Sequence, residues 1–161
     1  MFHKSQCGRS MIEMLGVLAI VGVLSVGGLA GYSKAMRANK INDALEYINR
    51  AKIEYYARLA NGTQASDTAI SCSTLLGESF SAYNILNCSC RNKNVYVRMK
   101  TIDLLKELAL RVNATNYNGT KDPVTEIDNY VNAGQEGRVC LVLCRKRTVV
   151  GGWDMTYGYC I

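Results

Sequence analysis

The chain has 161 residues, with 19 Lys and Arg against 13 Asp and Glu, a formal net charge of +6. Once about 25 residues are set aside for an apolar run near the start, what remains is one domain of the usual size, roughly 100 to 150 residues, and a second domain is excluded. The charges are interspersed and read as a solvated basic surface; ten Tyr accompany them, but no RNA-binding signature and no Gly-rich phosphate loop is present, so nucleic-acid binding is unsupported.

The first element is the run "GRSMIEMLGVLAIVGVLSVGGLAGY" at residues 8–32, which carries no charge from Met14 to Tyr32. Leu, Val and Ile interspersed with Gly and Ala are the composition of a membrane-spanning helix. Glu13 is the anomaly, because an ionised carboxylate near hydrocarbon costs about 2.5 to 3.5 kcal/mol at a helix centre and less near its end. A cleaved secretory signal is excluded by length, since the run exceeds the usual 7 to 15 residues and flows without a break into "SKAMRANKINDALEYINRAKIEYYARLANG". Cys7 precedes the run, whereas a lipoprotein anchor would follow it.

A short polar leader with Lys4, then Gly8, then Arg9-Ser10-Met11-Ile12-Glu13 leading into about twenty apolar residues, resembles the class III signal of type IV pilins and of the pseudopilins of type II secretion systems. The motif covers only the first fifth of the chain, but it fixes Gly8, Glu13 and the polar-to-apolar boundary in one register. The resemblance implies that a prepilin peptidase removes residues 1–8 after Gly8 and N-methylates Arg9, the new first residue. It implies a bacterial inner-membrane protein with one span, a periplasmic carboxyl-terminal domain, and later assembly into an extracellular filament or a periplasmic pseudopilus. The partners it implies are further copies of the chain in a helical polymer and related minor pilins or pseudopilins.

The resemblance makes Glu13 an assembly residue: a neighbour's positively charged amino terminus compensates the carboxylate, so two groups costly alone become a pair in a dry core. The plainer alternative leaves Glu13 snorkelling in the headgroup region. Two features depart from the family. The first mature residue is usually Phe or Met and here is Arg9, an i,i+4 neighbour able to pair with Glu13 within one subunit. The proline that many members carry in the apolar segment is missing; Gly27-Gly28 is instead its weakest point, and Gly27 and Gly31 form a small-x-x-x-small pair that admits a close helix.

After residue 33 the pattern becomes one-sided. Ile41, Ala44, Leu45, Ile48, Ala51, Tyr55 and Leu59 recur at three- and four-residue steps, with Lys40, Asp43, Glu46 and Glu54 on other faces. The same helix therefore continues, spanning or assembling over 9–33 and amphipathic over 34–62, and ends at Asn61-Gly62, where Gly takes the left-handed cap. Flanking charges do not orient the span, because Lys4 and Arg9 precede it while Lys34, Arg37 and Lys40 follow.

Residues 63–161 read as the globular domain. "NVYVRM" at 94–99 and "GRVCLVLCRKRTVV" at 137–150 are expected strands, the second with Val139, Leu141 and Leu143 on one face and Cys140, Val142 and Cys144 on the other. "TIDLLKELALRV" is expected to be a helix capped by Thr101, and "EIDNYV" a short strand among loops. The fold class is α+β, a long amino-terminal helix packed on a small antiparallel sheet stapled by disulfides, as the resemblance also implies.

The six cysteines outside the leader, Cys72, Cys88, Cys90, Cys140, Cys144 and Cys160, form an even set suited to an oxidising compartment. "CSC" and "CLVLC" lack the two-residue spacing of a zinc knuckle, and the one His, His3, lies in the leader, so disulfides are expected rather than a metal site. Six cysteines allow 15 pairings, and excluding Cys88–Cys90 and Cys140–Cys144 leaves ten. Cys160 is expected to close back on Cys144 or Cys140, an arrangement that would resemble the disulfide-bounded carboxyl-terminal region of many pilins.

No histidine remains outside the leader, and there is no nucleophile elbow and no carboxylate pair in a recognisable motif, so neither catalysis nor a cofactor is expected. Two function classes remain. One is a structural subunit of a type IV pilus-like filament or a type II secretion pseudopilus. The other is a membrane-anchored, disulfide-rich minor pilin acting as an adhesin or DNA-binding tip subunit.

Overall fold

A computed structural model of the chain describes residues 11–115, 119, 122–143 and 148–152. Contacts divide the chain into two units, 1–38 and 39–161. The first helix, α1 (Met11–Ala60), passes from one into the other. Its end follows from Asn61-Gly62 as expected: Gly62 has φ +70°, Thr63 N–H donates to the Arg58 carbonyl at 3.0 Å, and Gly62 N–H donates to that of Leu59 at 3.3 Å. These paired bonds make a Schellman cap, which satisfies carbonyls that the helix would otherwise leave bare.

In the second unit the sheet is an antiparallel meander in the order β1 (Ile70–Ser71), β2 (Ile85–Arg91), β3 (Asn94–Met99), β4 (Val139–Leu143), β5 (Thr148–Gly152). Val97 lies opposite both Cys88 and Leu141, so side chains of one parity line one face. That face contributes Cys88, Cys90, Val95, Val97, Met99, Val139, Leu141, Leu143 and Val150 to the core. Ile41, Ala44, Tyr47, Ile48, Ala51 and Tyr55 of α1 join them with no exposed surface, and burial of Ile41 and Ile48 contributes about 1.5 to 3 kcal/mol each. Cys140, Val142 and Val149 form a smaller cluster on the opposite face.

Among the described residues three shorter α-helices complete the unit. In α2 (Cys72–Leu76) the Ser71 hydroxyl caps the Ser73 N–H, and Gly77 closes the end at φ +70°. Thr101 caps α3 (Ile102–Arg111) through the Leu104 N–H at 3.4 Å, as its position predicted, and Leu105, Leu108 and Ala109 face the core. In α4 (Pro123–Asn132) Asp122 caps the Thr125 N–H at 3.1 Å, with Pro123 in the first turn, where its missing N–H leaves no bond unmade.

Two expectations are corrected. "EIDNYV" is helical, belonging to α4: Ile127, Tyr130 and Val131 are spaced by three and four and pack on the core. The stretch 137–150 is not one strand but the hairpin β4–β5, with Leu143 opposite Thr148 and a short 3-10 turn at Glu136–Arg138 before it. The two faces expected for β4 are observed, with Val139, Leu141 and Leu143 on one and Cys140 and Val142 on the other; Cys144 lies outside the described residues.

Candidate functional site

The candidate site is the amino half of α1, built from apolar side chains that are exposed among the described residues. Met11 is 86% exposed, Ile12 79% and Val23 74%, and Leu15, Leu18, Leu24, Val26 and Leu29 are similarly open. The helix is long and apolar enough to cross a membrane, and none of its apolar window is buried within the chain. Backbone polarity is satisfied inside the helix, as hydrocarbon requires. The Ser25 hydroxyl turns back to the Val21 carbonyl at 2.7 Å and the Ser33 hydroxyl to that of Ala30 at 2.9 Å. Sequence reasoning passed over these serines; Ser within an apolar helix is itself the signal, since its hydroxyl has the i−3 or i−4 carbonyl in reach.

Glu13 lies in the first turn of α1. Gly8 and Arg9, the expected cleavage and methylation positions, lie outside the described residues, so the Arg9–Glu13 pair does too. Gly16, Gly22, Gly27, Gly28 and Gly31 lie within continuous helix, and a Cβ added at any of them would meet no atom within 4 Å. The helix runs unbroken through Gly27-Gly28, and among the described residues no contact requires the Gly27–Gly31 pair to be small.

The cysteines separate into two kinds. Cys72, at the start of α2, is bonded to Cys88 in β2, with Cα atoms 5.4 Å apart and a sequence separation of 16. That pairing is among the ten the sequence allowed. Among the described residues Cys90 and Cys140 are buried and not bonded to each other or to the Cys72–Cys88 pair. The reason is geometric: Cys90 points into the main core while Cys140 points into the cluster on the opposite face of the sheet. Burial pushes both thiols up to about 12, which removes thiolate reactivity at neutral pH. Cys144 and Cys160 lie outside the described residues, and the expected closure of Cys160 on Cys144 or Cys140 lies there too.

A polar cluster fastens α1 to the loop enclosed by the disulfide. Arg50 forks onto Glu78, Nη1 to Oε1 at 3.1 Å and Nη2 to Oε2 at 3.0 Å, while the Tyr83 hydroxyl also donates to Glu78 at 3.0 Å. Tyr47 stacks on Tyr83 with ring centroids 4.6 Å apart and donates to the Glu78 carbonyl at 2.9 Å. The hydrogen bond from Arg50, then that from Tyr83, holds the Glu78 carboxyl below its usual range. Burial is the main cause that raises the Tyr47 phenol.

The arrangement offers an uncovered apolar helix of membrane-spanning length, led by one acid, on a stapled α+β unit. Compared with protein-family models, curated proteins and solved structures, the chain shows no significant match.

Proposed function

We propose that the chain is a structural subunit of a type IV pilus-like filament or a type II secretion pseudopilus, made as a prepilin, cut after Gly8 and assembled through α1. The observation that carries this reading is the exposed apolar half of α1. Exposing a Leu, Ile or Val costs about 1.5 to 3 kcal/mol each, so this half of the helix needs a cover of lipid or of other copies. A subunit that waits in the inner membrane and then enters a filament uses both covers in turn. The prepilin-like register of Gly8, Glu13 and the apolar boundary adds support, because it joins a processing site to that helix. In the filament, Glu13 compensates the amino terminus of a neighbouring copy, which removes the cost of carrying both groups into an apolar core.

The test is the mass of the native chain. Mature protein should begin at Arg9 and carry a methyl group on its amino nitrogen, and Gly8→Val should leave residues 1–8 attached. Native protein beginning at Met1 in a cell with active prepilin peptidase would overturn the proposal.

A further inference from the structure

A different feature sits in the second unit and is independent of the filament reading. Lys52, Tyr56, Leu59, Ala60 and Lys93 line an open groove of ≈ 520 Å³, a volume in the range of small-ligand sites. Lys52, Tyr56 and Leu59 occupy one stripe of the carboxyl half of α1, and Lys93 comes from the tip of the β2–β3 hairpin. No carboxylate lines the groove, and neither lysine forms an ion pair among the described residues.

The hairpin tip adds a second observation. Arg91 pairs with Asn94, so Asn92-Lys93 forms a two-residue turn, with φ +50° and +64°. Such a turn favours Asn-Gly, because only Gly takes the second left-handed position without a Cβ penalty. Here the first residue is the favoured Asn and the second is Lys. The strained residue is held from both sides: the Tyr56 hydroxyl donates to the Lys93 carbonyl at 2.7 Å, and the Lys93 N–H donates to the Tyr55 hydroxyl at 3.4 Å. The turn thus keeps a lysine at the groove where glycine would fold with less strain, a pattern that points to use rather than to stability.

We propose that this groove binds an organic phosphate monoester, with its phosphoryl group met by Lys52 and Lys93 and its apolar body lying against Tyr56, Leu59 and Ala60. Two ammonium groups with no competing acid favour a ligand of charge near −2 over a single carboxylate, and a phosphomonoester carries about −1.5 to −2 at pH 7. The Tyr56 hydroxyl is committed to the Lys93 carbonyl, so the tyrosine offers its ring. Leu59 and Ala60 extend an apolar floor beside it, which inorganic phosphate cannot use.

The experiment titrates the full chain, in detergent, with phenyl phosphate, inorganic phosphate and phenol, followed by calorimetry. Phenyl phosphate should bind saturably with a Kd of about 1 mM or tighter, inorganic phosphate more weakly, and phenol undetectably. Lys52→Gln should weaken phenyl phosphate binding about fivefold, as expected for one exposed charge contact. Lys93→Gly separates binding from folding: it should weaken binding by at least as much while raising the melting temperature by about 1 to 4 °C. Absence of saturable phenyl phosphate binding, equal affinity for inorganic phosphate, or undiminished binding by Lys93→Gly would each overturn the proposal. So would a single-stranded oligonucleotide, whose diesters carry one charge each, binding more tightly than phenyl phosphate.

Discussion

Removing the Cys72–Cys88 bond tests how the globular unit is held together. The bond closes a loop of 16 residues that contains α2, the Phe80–Tyr83 turn and Glu78, the partner of Arg50 on α1. A loop of that size restricts the unfolded chain enough to contribute about 3 kcal/mol. For a unit of this length each kcal/mol moves the melting temperature by about 3 to 4 °C, so Cys72→Ala/Cys88→Ala should melt about 10 °C lower. Tyrosine fluorescence of the detergent-solubilised full chain follows the transition without reductant. Because either single substitution breaks the same bond, Cys72→Ala and Cys88→Ala should each cost nearly as much as the double variant. Additive single effects, or a double-variant loss below about 1 kcal/mol, would refute the reasoning that one covalent loop stabilises the unit.

Acid should weaken the native state partly through Glu78. Its folded-state carboxyl is held below the unfolded value, so its contribution is present above the unfolded pKa and is lost as pH falls through the folded one. Urea midpoints between pH 6 and 3 should therefore fall less steeply for Glu78→Gln than for the natural chain. Cys90 and Cys140, pushed up to about 12, should resist iodoacetamide in the native protein at pH 8 and react once it is unfolded, as peptide mass spectrometry would read. In alkali the sign reverses: the unfolded thiols ionise from about pH 8.5 while the folded ones stay protonated, so stability should fall as pH rises from there toward 12, less so in Cys90→Ala.

Much of this fold is legible in the sequence where local chemistry and burial agree. The long helix was readable because an unbroken apolar run passes into a three- and four-residue repeat that stops at Asn61-Gly62; of the repeat positions Ile41, Ala44, Ile48, Ala51 and Tyr55 are buried and Leu45 and Leu59 half-buried, while buried Tyr47 was not among them. Thr101 and the β3 alternation were equally plain. The strand β2 went unread because its register shifts between Ile85 and Asn87, so Ile85 is buried while Leu86 and Asn87 are exposed and the period of two is lost. "EIDNYV" misled because its bulky residues suit a strand in isolation, whereas the Asp122-Pro123 start decides for a helix. Pairing among the cysteines was not legible at all. It depends on β1 lying beside β2, which brings Cys72 next to Cys88, and on Cys90 and Cys140 facing opposite sides of the sheet. The strain at Lys93 was hidden because nothing in "RNKN" announces a left-handed lysine.

The claim that α1 is an assembly element led by Glu13 is tested most directly by shearing cells that express Glu13→Val and comparing the sheared and membrane fractions with those of the natural chain. Replacing the acid by valine lowers the cost of membrane residence, so the account predicts as much or more membrane-extractable protein, with its globular unit folded, and no sheared filaments. Arg9→Phe, which removes the neighbouring cation but keeps the amino terminus, should still yield filaments. Filaments from Glu13→Val in normal amounts, or their loss from Arg9→Phe as complete as from Glu13→Val, would contradict the account.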